Sequence, residues 1–133
     1  MKRRKAFVVD EQVWKVLVKS TRPVGAYQIA DMIPPIAASQ VYRALERLVS
    51  TGKARRIAAR NAFVAASPKT DLIVICRKCG EFELLECPDA IEGLGRHSDQ
   101  RGFQISQIYL EMTGSCRDCR QRTGHRRDQV QSN

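Results

Sequence analysis

Two cysteine pairs constrain this chain more than anything else in it. Cys76-x-x-Cys79 and Cys116-x-x-Cys119 are separated by 36 residues in a chain of 133, and a two-residue gap lets both sulfurs of a pair turn toward one ion. Four thiolates surround Zn²⁺ tetrahedrally and leave no position for water or substrate, so the spacing predicts a closed structural zinc site rather than a catalytic one. A redox pair is the competing reading, but neither pair sits in a thioredoxin-like βαβ pattern. A chain this short builds a modest core, and two small units in it would each need a metal or a partner subunit. Zinc would clamp the last strand of the second unit to its first and add folding free energy there.

Charge divides the chain at the same place as composition. Residues 1–66 hold 13 Lys/Arg against 4 Asp/Glu, whereas residues 67–133 hold 10 against 10, so the whole net charge of +9 falls on the first half. Such an asymmetry points the first half at a polyanion, with nucleic acid ahead of an anionic membrane surface because the cations are scattered over several elements. No apolar run is long enough to span a bilayer, and the opening "MKRRKAFVVDEQVWK" lacks the apolar core of a signal peptide. The expectation is a cytoplasmic protein, with no membrane partner, whose thiols stay reduced and available to metal.

Periodicity gives the order of elements. Val13, Trp14, Leu17 and Val18 fall at helical spacing in a first helix from Asp10 to Ser20, with Trp14 read as core. A second, short helix carries Ala26, Ile29 and Ala30 inward and stops at Pro34–Pro35. A third runs from a Ser39 cap to Gly52 with Val41, Leu45, Leu48 and Val49 as its apolar stripe. "KARRIAARNAFVA" then reads as a hairpin studded with Lys53, Arg55, Arg56 and Arg60. Helix, short helix, helix and basic hairpin is the order of a winged helix-turn-helix, in which the last helix enters the major groove and the wing lies on phosphates.

The candidate DNA-binding residues are therefore Ser39, Gln40, Tyr42, Arg43 and Arg47 on the third helix, Arg56 and Arg60 on the wing, and Lys5 in the basic arm. After a break at Ser67–Pro68, "DLIVIC" and "EFELLE" read as strands, "PDAIEGLGRHSDQRG" as a weak helix and "FQISQIYLEM" as a third strand. The fold class is thus α+β: a winged-helix DNA-binding domain over 1–66, a small α/β zinc domain over 67–119 and a basic disordered tail over 120–133. No nucleophile, general base or phosphate-binding loop stands in a recognised setting, so no enzymatic activity is expected.

"GAYQIADMI", "SQVYRALERLVSTGKARRI", "NAFVA", "ICRKCGEFELLE" and "GFQISQIYLEMTGSCRDC" resemble, in order, the ferric uptake regulator superfamily, and "NAFVA" and the interval before the first cysteine pair lean toward its zinc uptake regulator branch. The resemblance implies a homodimeric, metal-responsive transcriptional repressor on operator DNA, with the second domain as the dimerisation unit. It implies that Tyr42 touches a base edge, Arg43 a phosphate, and the four cysteines hold structural Zn²⁺. The competing function is a winged-helix, zinc-ribbon architectural protein that binds nucleic acid without metal-responsive repression.

The same resemblance implies a second, regulatory metal at the junction of the domains, and there the chain departs from the pattern. Alignment through the cysteine pairs puts Arg55 in the place of a wing histidine, Ala66 in that of a cysteine, Lys69 near that of a second histidine, and Leu84, or its neighbour Glu83, in that of a glutamate. Sensing is then either absent or moved to other ligands, for which Cys87, His97 and Glu83 are the candidates. Arg55 and Lys69 would place fixed positive charge in that space, pairing with Glu83 or Glu86. His125 lies in the tail and is read as adding phosphate attraction only.

Overall fold

A computed structural model describes residues 6–122; Lys5, His125 and the expected tail from 123 on lie outside them, while 120–122, expected to be disordered, are helical. Three helices come first: α1 (Ala6–Lys19), α2 (Ala26–Met32) and α3 (Ala38–Ser50). Val9, Val13 and Leu17, spaced by four on α1, are buried against Val41, Ala44, Leu45 and Leu48 of α3 and Ala26 and Ile29 of α2. That row, and not the neighbouring one, faces the core, so Trp14 and Val18 are exposed at 36% and 50%. The expectation of a core tryptophan is thereby corrected: one position past Val13 turns the side chain about 100° off the buried stripe. Helix α1 also starts earlier than expected, at Ala6.

The helix ends are made by side chains other than the expected cap. Ala37 occupies the N-cap of α3, and its N–H donates to Gln40 Oε1 at 3.3 Å, so Ser39 lies inside the helix. Gln28 does the same for α2, accepting from Gly25 N–H at 2.8 Å. At the other end of α3, Gly52 N–H donates to Val49 O and Lys53 N–H to Leu48 O, and Gly52 has φ +82°. This paired C-cap needs a left-handed residue, which glycine adopts without steric cost.

The turn delivers the chain into β1 (Ala54–Ile57), which pairs antiparallel with β2 (Ala62–Ala65). Val24 adds a bridge to Phe63, exchanging both backbone hydrogen bonds at 2.8 and 2.9 Å. One face of this hairpin closes the helical core through Ala54 and Phe63. The other presents Ile57 and Val64, which are buried with Ile73, Ile75 and Phe82 of the following sheet. The wing is therefore an apolar layer between the helices and the second sheet.

That sheet has the order β4-β3-β5, with β3 (Leu72–Cys76) antiparallel to β4 (Phe82–Leu85) and parallel to β5 (Leu110–Gly114). Helix α4 (Pro88–Gln100) is the crossover between the parallel pair. The expected third strand from Phe103 begins only at Leu110. Its register explains the difference: Leu110 pairs with Leu72, the first residue of β3, so residues 103–109 run past the end of their neighbour and have no strand to bond to in one chain.

Candidate zinc site and nucleic-acid face

The parallel β3–β5 pairing brings the distant cysteine pairs together. Cys76 ends β3 opposite Gly114 of β5, and Arg77 N–H donates to Gly114 O at 2.9 Å, so Cys116 and Cys119 enter at the same end of the sheet. All four sulfurs lie within 4.8 Å of one another, and Cys79 Sγ is 3.7 Å from Cys116 Sγ. A tetrahedron with zinc–sulfur bonds of about 2.3 Å has edges of about 3.8 Å, so the sulfur set fits Zn²⁺.

The surroundings are those of a thiolate site. Glu81 N–H donates to Cys79 Sγ and Cys119 N–H to Cys116 Sγ, both at 3.4 Å, and Arg122 Nη2 approaches Cys119 Sγ at 3.8 Å. Burial opposes ionisation of Cys76. The amides of Cys79, Cys116 and Lys78 and the thiol of Cys119 together outweigh it, holding the group down at about 6. Cys119 is pushed up to about 12, first by burial and then by the neighbouring sulfurs. Four sulfurs crowded this closely constitute a cage that a divalent cation would stabilise.

Away from the core, α3 presents Tyr42 and Arg43 outward. Tyr42 packs edge-on against Tyr27 of α2, with ring centroids 6.3 Å apart and planes at 84°. Sequence reasoning missed Tyr27, which is 71% exposed; an aromatic residue off the apolar stripe of Ala26 and Ile29 was the available signal. Other expected contacts are engaged within the chain. Arg47 Nε and Nη2 grip Asp10 at 2.9 and 2.7 Å, which raises the guanidinium pKa, first through that hydrogen bond. Gln40 caps its own helix, and Arg56 Nη2 donates to Asn61 Oδ1 at 3.0 Å. Arg60 reaches away from the wing to Cys76 O and Arg77 O, at 3.3 and 2.7 Å.

The fold has close counterparts among solved structures. Over 84% of this chain and 83% of the other, it is 30% identical to holo XcZur, with a TM-score of 0.75. The chain belongs to the ferric uptake regulator superfamily. Within that superfamily the similarity is to zinc uptake regulators: the zinc uptake regulation protein of Escherichia coli K12 is 24% identical over 118 residues, covering 81% of this chain and 68% of that one. A zinc uptake regulator complexed with zinc and DNA, 20% identical, shares the fold at a TM-score of 0.78 over 85% of this chain and 81% of the other. No family model matches the chain.

At the domain junction no cluster of three or more possible metal ligands occurs among the described residues. Among the described residues, the four cysteines are the one group of Cys, His, Asp or Glu side chains close enough to share a metal. Cys87, His97 and Glu83 are not brought together. Cys87 starts α4 and His97 lies in its last turn, ten residues or about 15 Å along the axis, while Glu83 sits exposed on β4 opposite Val74. The Cys87 amide instead donates to Asp71 Oδ2 at 2.7 Å. Nor does Arg55 pair with Glu83 or Glu86. Its Nη1 and Nη2 donate to Thr70 O and Leu110 O at 3.3 and 3.4 Å, and its guanidinium lies 5.6 Å from the Tyr109 ring centre.

Proposed function

We propose that the chain is a dimeric, zinc-containing transcriptional repressor of the zinc uptake regulator kind. Residues 1–66 bind operator DNA, residues 67–119 dimerise and hold structural zinc, and the second metal site of the pattern is absent. The observation that carries the reading is the pairing of a closed four-sulfur cage with a winged helix whose α3 leaves Tyr42 and Arg43 facing outward. Zinc, when bound, cross-links the ends of β3 and β5 and supplies folding free energy; Cys76, Cys79, Cys116 and Cys119 would hold it.

Tyr42 and Tyr27 form an aromatic ridge for base edges, Arg43 and Arg56 are set for phosphates, and Ser39 lies at the leading end of the reading helix. Arg47 and Arg60 act inside the protein, on Asp10 and on the first cysteine turn. The dimer is supported by the second unit's surface. Helix α4 buries no residue fully, Phe103, Ile105 and Tyr109 are exposed, and residues 103–109 belong to no helix and pair with no strand among the described residues. A second copy would supply that strand and cover those side chains. No helix among the described residues is long and apolar enough to cross a membrane.

The test is selection of binding sites from random DNA by the zinc-loaded protein, followed by titration against the selected site and scrambled DNA. A palindromic site preferred by about 10³-fold or more is expected for a specific regulator. Equal affinity for both, governed by salt alone, would instead identify an architectural binder and overturn the reading.

A further inference from the structure

Polar links through Arg55, Glu111, Arg60 and Arg22 join the winged helix to the zinc unit, and none of these uses a cysteine side chain. Arg55 of β1 donates to Thr70 O and Leu110 O and lies over Tyr109. Glu111 of β5 accepts the N–H groups of Ala58 and Ala59 in the wing turn, at 2.7 and 3.0 Å. Arg60 holds Cys76 O and Arg77 O, and Arg22, just before α2, donates Nε–H to Cys79 O at 2.7 Å. Gly80 has φ +81° and leaves room for these two guanidiniums: a Cβ there would lie 3.3 Å from Arg22 Cδ and 3.6 Å from Arg60 Cζ. Beneath the links, Ile57 and Val64 of the wing share one buried cluster with Ile73 and Ile75.

We propose that Arg55 and Glu111 are positioning residues that fix the winged helix against the dimerising unit, so that DNA affinity does not respond to a second metal. The argument rests on the regulator reading above and deepens it. Arginine stays charged at any physiological pH, and its partners here are the backbone carbonyls of Leu110, at the start of β5, and of Thr70, in the turn before β3. The links are therefore permanent in the folded protein and independent of any free ion. In a dimer, the angle between each winged helix and the shared unit sets the distance between the two reading helices, hence the half-site spacing that DNA must have. Arg22 and Arg60 extend the same brace onto the first cysteine turn, so the four-cysteine zinc supports the orientation without being sensed at a separate site.

The experiment measures operator affinity of the zinc-loaded dimer as free Zn²⁺ is raised from the level that just keeps the four-cysteine site full. It also measures preference among operators with altered half-site spacing for the native protein, Arg55→Ala, Glu111→Ala and Glu111→Gln. A flat response is expected, against the roughly 5–150-fold gain of a typical allosteric effector. Arg55→Ala and Glu111→Ala should lose spacing preference while keeping zinc content and affinity for a single half-site. Glu111→Gln, which retains an acceptor oxygen, should keep most of the preference. A steep gain with zinc, or unchanged spacing preference in both alanine variants, overturns the proposal. Should the native protein bind no specific site, the regulator reading itself fails. The brace is then decided by hydrogen exchange, where Glu111→Ala must deprotect the Ala58 and Ala59 amides and equal protection refutes it.

Discussion

Replacing Ile57 with alanine should destabilise the winged helix and the zinc unit together. Ile57 belongs to the wing but is fully buried at 0% exposure among Val64, Ile73 and Ile75, so its side chain is shared by both units. Ile→Ala deletes three carbons, worth about 2.4 kcal/mol at about 0.8 kcal/mol each. A cavity penalty brings the loss into the range of about 2–5 kcal/mol, because strands braced by neighbouring hydrogen bonds collapse only partly into the space. The assay follows denaturant unfolding with two reporters: fluorescence of Trp14, the single tryptophan, on α1, and release of zinc to a chromogenic chelator from the second unit. In the native protein the two transitions should coincide, and in Ile57→Ala both midpoints should fall by the same amount. Leu45→Ala, in the helical core alone, serves as the comparison and should shift the Trp14 transition at least as much as zinc release. If zinc release were unmoved in Ile57→Ala, the shared cluster would carry no coupling and the reasoning would be refuted.

Two further outcomes follow from the geometry. Gly52→Ala forces alanine to φ +82° and sets its Cβ 3.1 Å from Pro68 Cα, so it should cost at least the roughly 1–2 kcal/mol of a left-handed residue; an unchanged or raised melting temperature would contradict this. Zinc held by four thiolates competes with protons at each sulfur, so occupancy should fall on acidification more steeply than the first power of proton concentration. A one-proton slope in a chelator titration would mean that most ligands are not the cysteines at Cys76, Cys79, Cys116 and Cys119.

Much of the architecture was readable because it depends on local pattern. The order of three helices and a hairpin followed from apolar spacing, the outward placing of Tyr42 and Arg43 from the gaps in that spacing, and the gathering of the four cysteines from their two matched pairs. Trp14 was misread because helical spacing marks two adjacent rows on α1, and only contact with α3 chooses between them. The intrachain partners of Arg47 and Arg60 could not be read, because a sequence shows that a residue is cationic and not what lies within its reach. Asp10 is 37 residues from Arg47, and the Arg77 carbonyl is 17 from Arg60.

The junction shows the same division most clearly. That Arg55, Ala66 and Lys69 stand where the resemblance implied metal ligands is a matter of residue identity, visible in the chain alone. What replaces them is not: Leu110 O meets Arg55 across 55 residues, and Glu111 meets the Ala58 amide across 53. Local propensity specifies each strand and each charge, but which backbone carbonyl a guanidinium finds depends on the parallel return of β5 beside β3. Long-range packing alone makes that choice, because hydrogen bonds act over about 3 Å and carry no trace in the spacing of residues along the chain.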